Sequence, residues 1–200
     1  MLQLVIASLL VGLAAAADPI GSPRSREAMT LCNRADDVAA DEGSALLERS
    51  IRLAEQALAE DDRDALAHFA VFCVVGRQAR KSGLSPLNLW RIRRLRKEID
   101  RTLELAPDYP GALLGKGALL LNLPRLLGGD KEEGERLVRR ALVVDPDFIE
   151  ARLELARALA ACDRREEARA EALAAARSAE RDGEPDQAAE ARRLADELGG

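Results

Sequence analysis

Residues 110–146, PGALLGKGALLLNLPRLLGGDKEEGERLVRRALVVDP, contain the pattern that decides the fold. Small residues stand five positions apart in the first apolar stretch, at Ala112 and Gly117, and seven apart in the second, at Gly134 and Ala141. Antiparallel helices joined by a short turn approach closely only where the crossing side chains are small. The segment therefore predicts two helices that pack against each other at these four positions.

Turn and capping signals separate the two predicted helices and end the second. Gly128 and Gly129 can adopt positive φ, and Asp130 with Glu133 has the spacing of a capping box, with aspartate in the cap position. Pro146 ends the second helix, because proline disfavours a helical residue before it and donates no backbone hydrogen bond. The unit is therefore helix, turn, helix.

The same unit recurs along the chain. The spacing of five recurs at Ala65/Ala70 and Ala151/Ala156. The spacing of seven recurs at Ser50/Ala57, Leu95/Thr102 and Ala168/Ala175. The capping spacing returns at Asp147 with Glu150 and at Asp163 with Glu166. No convincing strand pattern is present, so the predicted fold class is all-α. The predicted helices are 27–41, 44–60, 64–81, 86–106, 110–123, 130–144, 148–162, 164–181 and 185–198.

This arrangement resembles the tetratricopeptide repeat (TPR) over about residues 44–198. The family period of 34 residues is extended to 39 between Ala112 and Ala151 and to 47 in the unit before it, and the aromatic positions mostly hold leucine or valine. The resemblance implies a right-handed superhelix of antiparallel helix pairs, with the helix 185–198 as a C-terminal cap.

The extra residues of the 39-residue unit lie in the segment 123–130, LPRLLGGD. This segment resembles a connection found in exported TPR proteins, among them the T component of tripartite ATP-independent periplasmic (TRAP) transporters. That resemblance implies a helical protein with an apolar cavity and a solute-receptor subunit as its partner. The alternative is a helix stop followed by a capping turn.

Residues 1–17 predict a secretory signal peptide. They carry no charged side chain, and the apolar run Leu4–Leu13 is followed by four alanines before Asp18, although the basic n-region of such signals is missing. The run is too short for a helix that spans a membrane, so no stable membrane span is expected. We expect a periplasmic or secreted protein, with residues 18–43 as an N-terminal segment that contains the first helix and residues 44–198 as the repeat domain.

The composition leaves little material for catalysis or metal binding. The single histidine, His68, lies in an apolar stretch, and Cys32, Cys73 and Cys162 form no C-x-x-C pair. A net charge of −5 and 2 % aromatic residues disfavour a nucleic-acid partner. We therefore predict a protein that is not an enzyme and has no cofactor. At most one cysteine pair can form within the chain, and the sequence leaves open which pair, or whether all three cysteines are small apolar packing residues.

The first helix of each unit would form the concave surface of such a stack. This predicted groove comprises Ala67, Val71, Val75, Leu114, Ala118, Asn122, Leu153 and Arg157. Its mostly apolar character favours an exported scaffold that binds another protein or a peptide. The alternative is a protein that binds an apolar small molecule, or a subunit associated with a transporter.

One segment is strongly basic. Eight basic residues and no acidic one fall between positions 77 and 97, which gives this segment a charge of +8 against −13 for the rest of the chain. They are Arg77, Arg80, Lys81, Arg91, Arg93, Arg94, Arg96 and Lys97. Such a segment predicts a docking surface for an anionic partner, a phosphorylated ligand or a membrane face. Alternatively it is a solvated helix face, neutralised by Glu98, Asp100 and acidic neighbours.

Overall fold

A computed structural model describes residues 20–82 and 89–199 of the chain. The predicted signal peptide and the predicted start of the fourth helix at residue 86 lie outside the described residues. In the described part the chain forms nine α-helices. They are α1 Pro23–Arg34, α2 Ala40–Glu60, α3 Ala65–Ser82, α4 Leu89–Leu105, α5 Pro110–Asn122, α6 Lys131–Val144, α7 Ile149–Ala160, α8 Arg165–Asp182 and α9 Pro185–Gly199. None of these helices is both long enough and apolar enough to cross a membrane.

The helices pack as sequential antiparallel pairs, which confirms the all-α prediction. The pairs are α1 with α2, α3 with α4, α5 with α6, and α7 with α8, and α9 packs against α8. The first helices of neighbouring pairs also touch, α1 with α3 and α5 with α7. The core is therefore continuous from pair to pair, and one side of the stack is built from α3, α5 and α7.

The small residues that define the repeat lie where helices cross. Gly117 of α5 and Gly134 of α6 are both buried. A Cβ atom added to Gly117 would lie 2.7 Å from Val138 Cγ2 and 2.9 Å from the carbonyl oxygen of Gly134, and one added to Gly134 would lie 2.9 Å from the carbonyl oxygen of Gly117. The two backbones are thus close enough to exclude a methyl group, as the sequence pattern predicts.

The predicted bounds of the first helix, 27–41, are wrong. The helix α1 begins earlier, because the Ser22 hydroxyl accepts a hydrogen bond from the backbone N–H of Ser25 at 3.2 Å and Pro23 suits the first helical turn. It ends at Arg34, and α2 begins at Ala40, so the predicted start of the repeat domain at residue 44 falls inside α2.

One predicted cap is present and another is wrong. Asp130 Oδ1 accepts a hydrogen bond from the backbone N–H of Glu133 at 3.0 Å, as the capping box predicts. Asp147 does not cap α7. Its Oδ1 instead accepts a hydrogen bond from the Ser178 hydroxyl at 3.1 Å and pairs with Arg181, both on α8. The carboxylate is therefore used to hold α8 against the start of α7.

Asp163 does not cap α8 either, and acts instead at the end of α7. Its φ of 61° places it in the left-handed region, which aspartate tolerates better than most residues. The backbone N–H groups of Asp163 and Arg164 donate to the carbonyl oxygens of Ala160 and Leu159, each at 3.0 Å. This is the bonding pattern of a Schellman motif, so the residue closes one helix rather than opening the next.

The segment 123–130 forms a helix stop and a capping turn. After Leu123 a single 3₁₀ turn spans Arg125–Leu127, and Gly128 follows with a φ of 80°. A Cβ atom at Gly128 would lie 2.1 Å from Nη2 of Arg96 on α4. The positive φ is what favours glycine here, whereas the end of the flexible arginine side chain could shift to make room for a Cβ atom.

Candidate binding cleft

A cleft of about 630 Å³ opens between α3, α4 and α5. Its apolar lining comes from Phe72 and Gly76 of α3, Leu95 of α4, and Gly115 and Leu119 of α5. The volume falls within the range of about 300–1,000 Å³ that is usual for ligand sites, and the mostly apolar lining is also usual. The cleft is therefore large enough for an apolar side chain or a small molecule.

Two glycines create this space. A Cβ atom added to Gly76 would meet only Leu95 Cδ2, at 3.8 Å, so the cleft begins directly at the backbone of α3. A Cβ atom added to Gly115 would lie 2.7 Å from Cε1 of Phe72, so the aromatic ring packs directly on the backbone of α5. The depth of the cleft thus depends on two missing side chains.

The polar lining of the cleft differs from helix to helix. Arg77 and Arg80 of α3 and Arg91 of α4 are basic, whereas Glu154 of α7 is acidic. Asn122 of α5 lies beside Glu154, and its Nδ2 donates to Glu154 Oε1 at 2.9 Å. The cleft therefore has a basic wall on α3 and α4.

A smaller cavity of about 200 Å³ lies between α5, α6 and α7. Asn122 and Glu154 line both cavities, so the two meet at the hydrogen bond between these side chains. Arg157 lines the smaller cavity and forms an ion pair with Glu190 of α9. Together the cavities mark a groove along one side of α3, α5 and α7.

The predicted groove residues divide between this surface and the core. Ala118, Asn122 and Arg157 line the cavities. Leu114 is half-buried and packs against the core between α5 and α7. The remaining four are buried among the helices and do not face the groove; they are Ala67, Val71, Val75 and Leu153.

On α3 the prediction selects the wrong face of the helix by one residue. Val71 and Val75 are at most 2 % exposed, whereas the next residues along the chain, Phe72 and Gly76, line the cleft. One residue is a rotation of about 100° around a helix with 3.6 residues per turn. The predicted residues of α3 therefore lie one position before the residues that line the cleft.

The residues of the predicted basic patch do not form one surface. Arg77, Arg94 and Arg96 are engaged within the protein. Nε of Arg77 donates to Asp36 Oδ2 at 2.8 Å, and Arg94 pairs with Glu55 at 2.6 Å. Arg96 Nη2 donates to the carbonyl oxygens of Leu127 and Gly128, at 2.9 and 2.6 Å, and so holds the 3₁₀ turn against α4.

The other basic residues divide between two places. Arg91 lines the cleft, and its guanidinium carbon lies 5.4 Å from the ring centroid of the half-exposed Trp90. Arg80 also lines the cleft, whereas Arg93 and Lys97 lie exposed on α4. Within residues 20–82 and 89–199, none of Arg80, Arg93 and Lys97 has an ion-pair partner. The side chain of Lys81 lies outside the described part of the structure.

The two acidic residues named as neutralising the patch, Glu98 and Asp100, pair elsewhere. Asp100 pairs with Lys116 of α5 at 2.7 Å. Glu98 Oε2 lies 2.6 Å from Nδ1 of His68, and both residues are buried. Arg77 and Arg94 are neutralised by acidic neighbours in the adjoining pair, as the alternative expects, by Asp36 in the turn before α2 and by Glu55 on α2.

The His68–Glu98 pair is a satisfied polar contact inside the protein. Nε2 of His68 lies 3.0 Å from the carbonyl oxygen of Asp62 and must donate to it, since a carbonyl oxygen only accepts. Burial alone lowers the pKa of His68, but the hydrogen bonds to Glu98 and Asp62, together with the charge of Glu98, outweigh it and raise the pKa above 6.5. Both ring nitrogens are thus occupied by partners within the fold.

The sequence contained a signal for this pair that the prediction did not use. Glu98 stands among Leu95, Ile99 and Thr102, which are the buried stripe of α4. A carboxylate in such a stripe requires a partner, because burying an unpaired charge is costly. No cluster of three or more histidine, cysteine, aspartate or glutamate side chains in the described ranges could hold a metal ion.

Sequential antiparallel helix pairs, with small residues where the paired helices cross, define the fold of tetratricopeptide-repeat (TPR) proteins. A crystal structure of a thermophilic TPR protein from Thermus thermophilus superposes with a TM-score of 0.64 at 17 % identity, over 84 % of this chain and 81 % of that chain. A crystal structure of the MamA protein gives a TM-score of 0.49 at 12 % identity, over 88 % of this chain and 91 % of that one. At such identities the likeness concerns the fold alone.

The comparisons at the level of sequence identify no relative. No protein-family model and no curated protein matches the chain. Nothing in the comparisons supports the resemblance of residues 123–130 to the T component of TRAP transporters.

Proposed function

We propose that this protein is a non-catalytic scaffold that binds a segment of a partner protein in the cleft between α3, α4 and α5. The observation that carries the proposal is a preformed apolar cleft on the side of a TPR-like stack that is built from the first helices of the pairs. Extended binding surfaces on one side of stacked repeats are the usual working part of such folds.

The lining of the cleft defines the chemistry of the bound segment. Phe72, Leu95 and Leu119 offer apolar contact, whereas Arg80 offers hydrogen-bond donors and Arg91 adds positive charge to the same wall. A segment with an apolar anchor and a neighbouring carboxylate satisfies both parts of the site, since guanidinium groups bind carboxylates in a fixed geometry. The partner we propose is therefore an acidic peptide segment with at least one large apolar side chain.

A second candidate function rests on the same cavity. The cleft is of the size that holds a small molecule, and its lining is mostly apolar. An apolar ligand with an anionic group would satisfy the same residues. Organic extraction of the purified protein followed by mass spectrometry separates the two functions, since only the second predicts a stoichiometric small molecule.

Filling the cleft from Gly76 tests the site. Gly76→Phe should lower affinity for the partner at least about 10-fold, which corresponds to about 1.4 kcal/mol, because the new ring occupies the apolar floor. Gly76→Ala is the matched control, since its methyl group meets only Leu95 at an ordinary distance. The measurement is quantitative capture of one partner from an exported fraction by wild-type and variant baits, with circular dichroism as the check on folding.

Charge reversal gives a second pair of variants for the same experiment. Arg80→Glu changes the basic wall of the cleft, whereas Arg93→Glu makes the same change on the exposed face of α4, outside the lining. We expect the first variant to weaken capture and the second to leave it unchanged. Equal capture by all of these baits would show that the cleft is not the binding site.

We also propose that the protein is exported. The support is the uncharged apolar run and the four alanines of residues 1–17. N-terminal sequencing of the protein isolated from its native source should begin near Asp18. A sequence that begins at Met1 would contradict export through a cleaved signal.

A further inference from the structure

Two cysteines that are 41 positions apart in the sequence meet in the structure. Cys32 of α1 is fully buried in a small cluster with Ala35, Leu47 and Val74, and Cys73 of α3 packs against the same cluster. Each of the two thiols also shifts the pKa of the other, so the two side chains are neighbours within this cluster. Both are free thiols, and Cys162 lies exposed between α7 and α8. The structure therefore selects one pair among the three that the sequence leaves open.

A guanidinium group lies directly beside this pair. Arg77 Nη1 donates to Cys32 Sγ at 3.0 Å, while Nε of the same side chain is held by Asp36 at 2.8 Å. The hydrogen bond from Cys73 lowers the pKa of Cys32 against the opposing effect of burial, and the charge of Arg77 adds to the lowering. The neighbouring Cys32 and burial raise the pKa of Cys73. The thiolate form is thus favoured on one sulfur and the thiol form on the other.

We propose that Cys32 and Cys73 are a redox-active pair, which a peroxide converts reversibly into an intramolecular disulfide. Cys73 and Arg77 line the cleft, whereas Cys32 lies behind them and is fully buried. A small oxidant therefore reaches Cys32 only from the cleft, past these two side chains. Cys73 packs against the cluster that holds Cys32, so a second thiol is already in place, which is the arrangement that favours a disulfide over further oxidation of a single cysteine.

The reaction balances with one peroxide molecule for each pair. The thiolate attacks one peroxide oxygen, the O–O bond breaks, and a sulfenic acid and hydroxide form. The remaining thiol gives its proton to the hydroxide, which makes water, and then attacks the sulfenic sulfur. The S–S bond forms, the S–O bond breaks, and the second oxygen leaves as hydroxide, which takes back the proton first lost to solvent. Two thiols and one peroxide thus give one disulfide and two waters.

The disulfide would join α1 to α3 and convert the free Cys32 sulfur, which accepts a hydrogen bond from Arg77, into a disulfide sulfur. Arg77 and Cys73 both line the cleft, so the oxidation state of the pair would alter its basic wall. The proposal does not depend on what the cleft binds, because it concerns only the two thiols and their neighbours.

The test uses the full chain with Cys162→Ser, which removes the exposed thiol and leaves the pair intact. The folded protein is treated with hydrogen peroxide, and free thiols are counted by maleimide labelling. We expect both thiols to be lost together, to appear as one linked peptide by mass spectrometry, and to return with dithiothreitol. The linked form closes a loop of about 40 residues and should unfold about 5–10 °C higher than the reduced form.

Two variants show whether the neighbours act as proposed. Arg77→Gln should slow disulfide formation about 3- to 10-fold, since it removes a group that favours the thiolate. Arg93→Gln, which changes an exposed arginine away from the pair, should leave the rate unchanged. Disulfide-linked dimers, a sulfinic acid on either cysteine, or two thiols that stay free in the folded protein would each overturn the proposal.

Discussion

Glu98→Ala is expected to lower the free energy of unfolding by about 2–4 kcal/mol, because it breaks a buried pair by removing one partner. Nδ1 of His68 would lose its partner at 2.6 Å, while Nε2 would still donate to Asp62. His68 is only 8 % exposed, so water cannot easily replace the carboxylate. Chemical unfolding followed by circular dichroism measures the change.

Glu98→Gln separates the charge from the hydrogen bond. The amide keeps the volume of the side chain, and its NH₂ group can donate to Nδ1 of a neutral His68. We expect this variant to retain most of the stability that Glu98→Ala loses. If the two variants are equally destabilised, the charge of Glu98 rather than its hydrogen bond stabilises the fold. If neither variant is destabilised, the His68–Glu98 pair does not contribute to the free energy of unfolding.

The same pair makes the stability depend on pH. The pKa of His68 is raised above 6.5 in the folded protein, so its charged form contributes stability that is fully present below the pKa of the unfolded chain, about 6.5. This contribution is lost as pH rises through the folded pKa. Because the chain has one histidine, its NMR titration is unambiguous. The pKa should be lower in Glu98→Gln, where burial is no longer opposed by the carboxylate; an equal or higher value would contradict this account.

The sequence predicts the fold well because its signals are local. Pairs of small residues at spacings of five and seven mark where two neighbouring helices touch, and the structure buries Ala70, Gly117, Ala141, Ala156 and Ala168. Helix pairing follows from the short turns between such segments. The error in the start of α1 comes from a local signal that the prediction does not use, the Ser22 cap followed by Pro23. The wrong cap of α7 has a tertiary cause, because Asp147 holds α8 instead.

The candidate site was predictable only in part. Repeat alignment identifies α3, α5 and α7 as the helices of the groove, but the rotation of each helix depends on which side chains its neighbours bury. On α3 this rotation places Val71 in the core and Phe72 in the cleft. The insertion between the α3–α4 and α5–α6 units interrupts the repeat at this point, so the alignment does not fix the rotation of α3.

The periodic pattern of small and apolar residues does not predict contacts between residues that are far apart in the sequence. His68 and Glu98 are 30 positions apart, on paired helices, and the thiols of Cys32 and Cys73 meet across two pairs. Neither spacing corresponds to a motif. A buried glutamate implies a partner, but only the packing of α3 against α4 shows that the partner is the single histidine.

Gly117→Ala is expected to lower the free energy of unfolding by about 1–3 kcal/mol, although alanine is the better helix former by about 1 kcal/mol. The added methyl carbon would lie 2.9 Å from the carbonyl oxygen of Gly134 and 3.2 Å from the backbone nitrogen of Val138. These are backbone atoms, which cannot turn aside as a flexible side chain could. The two helices must therefore move apart, which loosens the contacts around Val138 at the centre of the α5–α6 pair.

Gly76→Ala is the same substitution in the middle of another helix, with the opposite expected sign. Its methyl group would meet only Leu95, at 3.8 Å, so the gain in helix propensity of about 0.5–1 kcal/mol should appear as increased stability. Unfolding in urea of wild type and both variants gives the comparison. Because the change in chemistry is identical, a difference in sign can come only from the surroundings of each glycine. A Gly117→Ala protein as stable as Gly76→Ala would show that α5 and α6 do not cross at backbone contact.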